Sequence, residues 1–195
     1  LGDYAGMLSK LQLMALPGLL VSVLFIGFGA YHLYLYRRNR HLRTMLWFGL
    51  VALVIALYTL MGNPWVHAMG VEFQTAEKSR IAAIYLFPAL AMQLVWCLLD
   101  VPIGTRLRAY QLSFPLWALA ALAIPGLGVI YSTLNIWQLW IAPMLLYAPW
   151  LILRRARQGH AEARTMLLGV TIFVATCIND ILMDLAGLES RRLVP

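Results

Sequence analysis

Residues 11–40 read LQLMALPGLLVSVLFIGFGAYHLYLYRRNR, an apolar run from Leu11 to Tyr36 that stops at Arg37-Arg38-Asn39-Arg40. A helix needs about 20 mainly apolar residues to cross the hydrocarbon core of a bilayer, and no charged side chain interrupts this run. The rest of the chain repeats the pattern. Of its 195 residues, 62% are hydrophobic and only 12% are charged, with a mean hydropathy of +0.77. A soluble domain carries roughly a quarter charged residues, so this chain has too little polar surface to cover a water-soluble globule. Hydrocarbon solvates it instead.

The expected fold is all-α, a polytopic transmembrane bundle of about six spans. After the first, the second runs from Thr44 to Gly62-Asn63-Pro64, and a polar loop from Trp65 to Arg80 follows, holding His67, Glu72, Glu77 and Lys78. The third span covers Ile81 to Leu99, with Pro88 inside and Asp100-Val101-Pro102-Ile103-Gly104 as its stop. The long apolar stretch from Tyr110 to Leu153 holds two spans, at Leu112–Ile130 and Leu134–Leu153, turning between Pro125-Gly126 and Asn135. Pro143 and Pro149 each remove a backbone donor and bend the fifth span. The sixth runs from Ala163 to Gly187.

Arginine placement sets the orientation. The loops after spans one, three and five hold Arg37, Arg38, Arg40 and Arg43, then Arg106 and Arg108, then Arg154, Arg155, Arg157 and Arg164. The opposite side holds Lys10, Lys78, Arg80, Arg191 and Arg192. Basic residues concentrate in cytoplasmic loops, so the first set faces inward, with Arg37, Arg38, Arg40, Arg154, Arg155 and Arg157 as topology anchors and the N-terminus outside. The net charge of +7 is thereby a topology signal. Nucleic-acid binding needs a basic face on a polar module, and the sequence offers none. Residues 1–188 are read as one transmembrane domain and 189–195 as a linker or expression remnant.

Polar groups inside apolar spans are costly, about 2.5–3.5 kcal/mol for a charge at the helix centre, and are often functional. The clearest group is Asn179-Asp180-Ile181-Leu182-Met183-Asp184. Asp180 and Asp184 are four residues apart, on one helix face. About fifteen residues of rise place Asp180 over roughly 20 Å from the cytoplasmic end, in the outer half. Asn179, Asp180 and Asp184 are therefore the candidates for ligand binding or signal coupling, with proton or cation carriage and a purely structural hydrogen bond as the other roles open to them. His32, among Tyr31, Tyr34 and Tyr36, reads as an interfacial anchor, Trp65, Trp137 and Trp140 as an outer aromatic belt, Gln93 as a bridge between helices, and Gly27 and Gly29 as points of close helix approach.

Catalytic machinery is not expected. His32, His41 and His160 fall on the cytoplasmic side and His67, Asp180 and Asp184 on the other, so no zinc set converges. There is no nucleophile elbow and no glycine-rich phosphate loop. Cys97 and Cys177 lie in apolar segments without metal spacing, and no metal or other cofactor is expected.

Three stretches carry a family resemblance. They are Gly29-Ala30-Tyr31-His32-Leu33-Tyr34-Leu35-Tyr36-Arg37-Arg38, then Leu46-Trp47-Phe48-Gly49-Leu50 through Leu57-Tyr58-Thr59-Leu60, then Ala175-Thr176-Cys177-Ile178-Asn179-Asp180-Ile181-Leu182 with Leu185-Ala186-Gly187. Together they resemble the membrane domain of bacterial seven-transmembrane receptors with diverse intracellular signalling modules. The resemblance implies a sensor of the bacterial inner membrane. It binds an outside or lipid-derived stimulus and relays it to a cytoplasmic kinase or cyclase module, which with a seventh span is expected beyond this fragment. Membrane lipid, a small amphipathic ligand and a second copy of the full-length receptor are its expected partners. A small transporter or channel using Asp180 and Asp184, and an intramembrane lipid hydrolase, are the competing readings.

Overall fold

The computed structural model describes the backbone of residues 2–185 and the side chains of residues 15–179, 182 and 183. It contains six long helices and one of five residues, and no strand occurs among the described residues. The helices are α1 (Gly2–Arg38), α2 (Arg43–Met61), α3 (Pro64–Ala68), α4 (Phe73–Leu99), α5 (Thr105–Ala123), α6 (Leu127–Arg157) and α7 (Ala161–Leu185). Two compact units divide the chain, one of Leu1–Cys97 with Pro102–Thr133 and one of Leu98–Val101 with Leu134–Pro195.

Five helices are long and apolar enough to span a bilayer: Ala15–Arg38, α2, α4, α6 and Ala161–Asn179. The all-helical transmembrane bundle expected from the sequence is thus observed. Among the described residues, α5 falls short on hydropathy, since Arg106, Arg108 and Gln111 occupy its first two turns. Large apolar side chains point outward along these helices, with Leu146 68% and Leu168 71% exposed. Such surface is stable only against lipid or another protein.

Three boundaries differ from the sequence reading. The third span begins at Phe73, two turns before Ile81, because Glu72 opens the helix: its carbonyl accepts from the Ala76 amide at 3.0 Å, and its carboxylate sits at the positive end of the helix dipole. The segment from Trp65 to Arg80 is therefore helical over most of its length rather than a loop. Asn63 caps α3, its side chain accepting from the Trp65 amide at 3.0 Å, with Pro64 in the first helical position. The helix expected at Leu112–Ile130 is Thr105–Ala123, and the span expected to start at Leu134 starts at Leu127. Pro125 is the cause: it forces Ile124 out of the helical region to φ −68°, ψ 127°, and Gly126 turns the chain with φ +84°.

In the first unit, α1 and α2 form an antiparallel hairpin closed from end to end. Asn63 donates to the Ala15 carbonyl at 2.8 Å, and Ser22 meets Thr59 hydroxyl to hydroxyl at 2.8 Å. One hydroxyl donates across to the other, whose own proton goes to a carbonyl a turn earlier on its helix, that of Gly18 for Ser22 or of Ile55 for Thr59, so neither is left unsatisfied in an apolar setting. The helices touch where Gly29 faces Gly49: a Cβ on Gly29 would lie 2.7 Å from Leu53 Cγ and 3.1 Å from the Gly49 carbonyl. Gly27, expected to share this role, has nothing within 4 Å, because two residues along a helix is more than half a turn away. Near the arginine end, His32 stacks against Phe48 at 4.4 Å, and its Nδ1 lies 3.2 Å from Met45 Sδ.

Three polar rungs cross-link α4, spaced eight residues or about 12 Å apart. Glu77 accepts from the Tyr131 hydroxyl at 2.7 Å. Tyr85 pairs with the Thr133 hydroxyl at 2.8 Å and packs edge-on against Trp117. Gln111 donates to both Gln93 Oε1, at 3.0 Å, and the Ala89 carbonyl, at 2.7 Å, so Gln93 is the inter-helix bridge anticipated.

In the second unit, α6 ends in a left-handed cap. Gly159, with φ +92°, donates to the Ala156 carbonyl, and His160 donates to that of Arg155, the paired bonds of a Schellman turn. The arginines of its last turn complement the negative end of the helix dipole. Trp65 and Trp140 are exposed, as a belt requires, but Trp137 is buried, so it is a packing residue instead.

Candidate functional site

Glu77 is the one buried carboxylate among the described residues, 6% exposed in the first turns of α4. One turn on, Arg80 approaches it at 2.5 Å, forming the sole ion pair among the described residues. The Arg80 guanidinium also lies over the Tyr58 ring, 5.8 Å from its centre, a cation–π geometry. Its stem runs past Gly62, where an added Cβ would meet Cδ at 3.4 Å. Glu77 Oε1 thus receives two donors, the Arg80 guanidinium and the Tyr131 hydroxyl.

Each member is placed by local structure. Glu77 and Arg80 are three residues apart on α4, neighbours on a helix surface. Tyr131 stands one turn into α6 because that helix starts at Leu127. Tyr58 lies in the last turn of α2, just before the Gly62 cap. The cluster therefore joins α4 to α6 through a single carboxylate oxygen and to α2 through the Arg80–Tyr58 contact. Two of the partners remain open to the surroundings, with the Arg80 side chain 35% and Tyr131 43% exposed. Arg80 Nε meets no hydrogen-bond partner among the described residues.

Sequence reasoning missed this site, having assigned Glu77 and Arg80 to a solvated loop. Its preferred candidates are on α7. Asn179 is half-buried, and its amide nitrogen meets no hydrogen-bond partner among the described residues. The backbone at Asp180 and Asp184 is helical, and their side chains lie outside the described residues. Of the topology anchors, Arg37, Arg38 and Arg40 are exposed at and just beyond the end of α1, and Arg154, Arg155 and Arg157 form the last turn of α6. Among the described residues no three His, Cys, Asp or Glu side chains converge as a metal site requires.

Long apolar helices, exposed leucines along them and hydrogen-bonded polar rungs between helices define a multi-pass membrane protein. The chain belongs to the receptor family described as 7TM diverse intracellular signalling, whose model matches residues 13–194. It is a membrane sensory domain of that family. No curated protein and no solved structure matches it.

Proposed function

We propose that this domain receives a stimulus at the outer side of the bacterial inner membrane, or from the lipid itself, and relays it to a cytoplasmic output module. The observation that carries the reading is the family match over residues 13–194. The arginine bias supports an orientation with the α1–α2 and α6–α7 connections inside and the N-terminus outside.

The mechanism is a population shift between two helix packings, biased by a ligand with different affinity for each. The polar rungs on α4 make such packings discrete. Turning or sliding α4 against its neighbours exchanges whole hydrogen bonds, each worth about 0.6 kcal/mol on average in a membrane and at most about 1.7. The Glu77–Arg80–Tyr131 cluster belongs by this topology to the outer end of α4, where a small amphipathic ligand would compete for the shared carboxylate. Asn179, Asp180 and Asp184 on α7 are the second coupling group. Dimerisation of the full-length receptor would carry the shift across the membrane to its output.

The output chemistry need not be known for a test. Host strains carrying Glu77→Gln or Asp180→Asn in the chromosomal gene are compared with wild type by transcript profile. A receptor locked or deafened by either change gives a profile distinct from wild type at equal protein abundance. Profiles matching wild type for both variants contradict the sensory role of these groups.

A further inference from the structure

The arginines of the α6–α7 connection are not equivalent. Arg155 turns into the hairpin, 3.2 Å from His160 Nε2. Arg164 also turns inward, reaching the Ala156 carbonyl at 3.4 Å. Arg154 and Arg157 do the opposite. With Trp150, Leu153 and Gln158 they line a cavity of about 270 Å³, and neither makes an ion pair among the described residues.

Trp150 is half-exposed and holds the Arg154 guanidinium 5.5 Å from its ring centre. That contact keeps one guanidinium in place over an aromatic face, while Arg157, three residues on, brings a second to the same side of the helix. Arginine's planar fork matches phosphate oxygens bidentately. Trp150 and Leu153 supply an apolar wall below the two charges, at the end of a membrane-spanning helix where an indole sits at headgroup level.

We infer that Arg154, Arg157 and Trp150 form a binding site for the phosphate headgroup of an anionic phospholipid, whose acyl chain follows the Trp150–Leu153 face of α6. Two guanidiniums on one phosphate, an aromatic at the interface and no ion pair at either arginine among the described residues are what separates such a site from general surface charge. The connection between α1 and α2 is equally basic, yet none of Arg37, Arg38 and Arg40 stacks on an aromatic ring among the described residues. The site is independent of the Glu77 cluster and rests on the membrane-domain reading alone.

The test is native mass spectrometry of the whole chain released from nanodiscs of mixed phosphatidylglycerol and phosphatidylethanolamine. The wild type should retain phosphatidylglycerol selectively. Arg154→Gln with Arg157→Gln should weaken retention roughly thirtyfold, from the value of a basic side chain at an anionic surface. The control pair Arg37→Gln with Arg40→Gln should leave retention unchanged. Trp150→Leu keeps every charge, and with it the orientation, and should lower retention severalfold. Equal loss in both arginine pairs would show unspecific charge attraction and overturn the site. Displacement of the lipid by millimolar inorganic phosphate would reassign it to a soluble anion. Full retention in both Trp150→Leu and the Arg154/Arg157 pair would also end the proposal.

Discussion

Replacing Glu77 with alanine should destabilise the domain by about 2–3 kcal/mol, the range for removing one partner of a charged hydrogen bond and leaving the other uncompensated. Two donors lose their acceptor at once: the Arg80 guanidinium and the Tyr131 hydroxyl both end on Glu77 Oε1. Reversible unfolding in mixed micelles measures the change. Glu77→Gln should cost less, because an amide oxygen still accepts from Tyr131 while the charge that opposes Arg80 is gone. The double variant Glu77→Ala with Arg80→Ala should be more stable than the sum of the single losses, with a coupling of at least about 0.5 kcal/mol. Additive effects would mean that the two side chains do not act as a pair.

The second large effect is steric. Gly29→Val should cost about 1–3 kcal/mol, the usual range for forcing extra methyl groups into a packed contact. A single Cβ there already meets Leu53 at 2.7 Å and the Gly49 carbonyl at 3.1 Å. The side chain of Leu53 can move, but the carbonyl belongs to a helix backbone, so α1 and α2 must separate. Separation also strains the Ser22–Thr59 and Asn63–Ala15 hydrogen bonds that close the same hairpin. Gly27→Val is the matched control, since nothing lies within 4 Å of a Cβ at that position, and it should unfold like the wild type. Equal destabilisation at both glycines would rule out the crossing as the source of the cost.

The membrane bundle was legible because its determinants are local. An apolar run long enough to span a bilayer and a cluster of arginines at its end need no knowledge of neighbours, and α2 starts and stops within a residue of the reading. Gln93 was legible for a related reason, as an amide inside a span must find a partner on another helix. The α5–α6 boundary was only partly visible: Pro125 and Gly126 were seen as a turn, but without the backbone angles the turn could extend toward Asn135.

Glu77 was hidden by the opposite logic. Seven polar residues between Trp65 and Arg80, four of them ionisable, average to a solvated loop, and only the buried alanines at helical spacing, Ala76 and Ala83, indicate that α4 starts earlier. Its principal partners are Arg80, three residues on, and Tyr131, on a helix far along the chain, and no pattern in one sequence joins Glu77 to Tyr131. The α7 group stood out instead because acidic residues inside an apolar run are conspicuous, whether or not they contact anything.

Side-specific labelling of engineered cysteines tests the account at its base. In a chain with Cys97 and Cys177 replaced by alanine, single cysteines are placed at Met69, 80% exposed between α3 and α4, at Asn39 and at Gln158. A membrane-impermeant maleimide should label the Met69→Cys protein in intact cells and the Asn39→Cys and Gln158→Cys proteins only after the inner membrane is opened. Labelling of the last two in intact cells, with Met69→Cys protected, would invert the domain and remove the basis for an outward-facing Glu77 cluster.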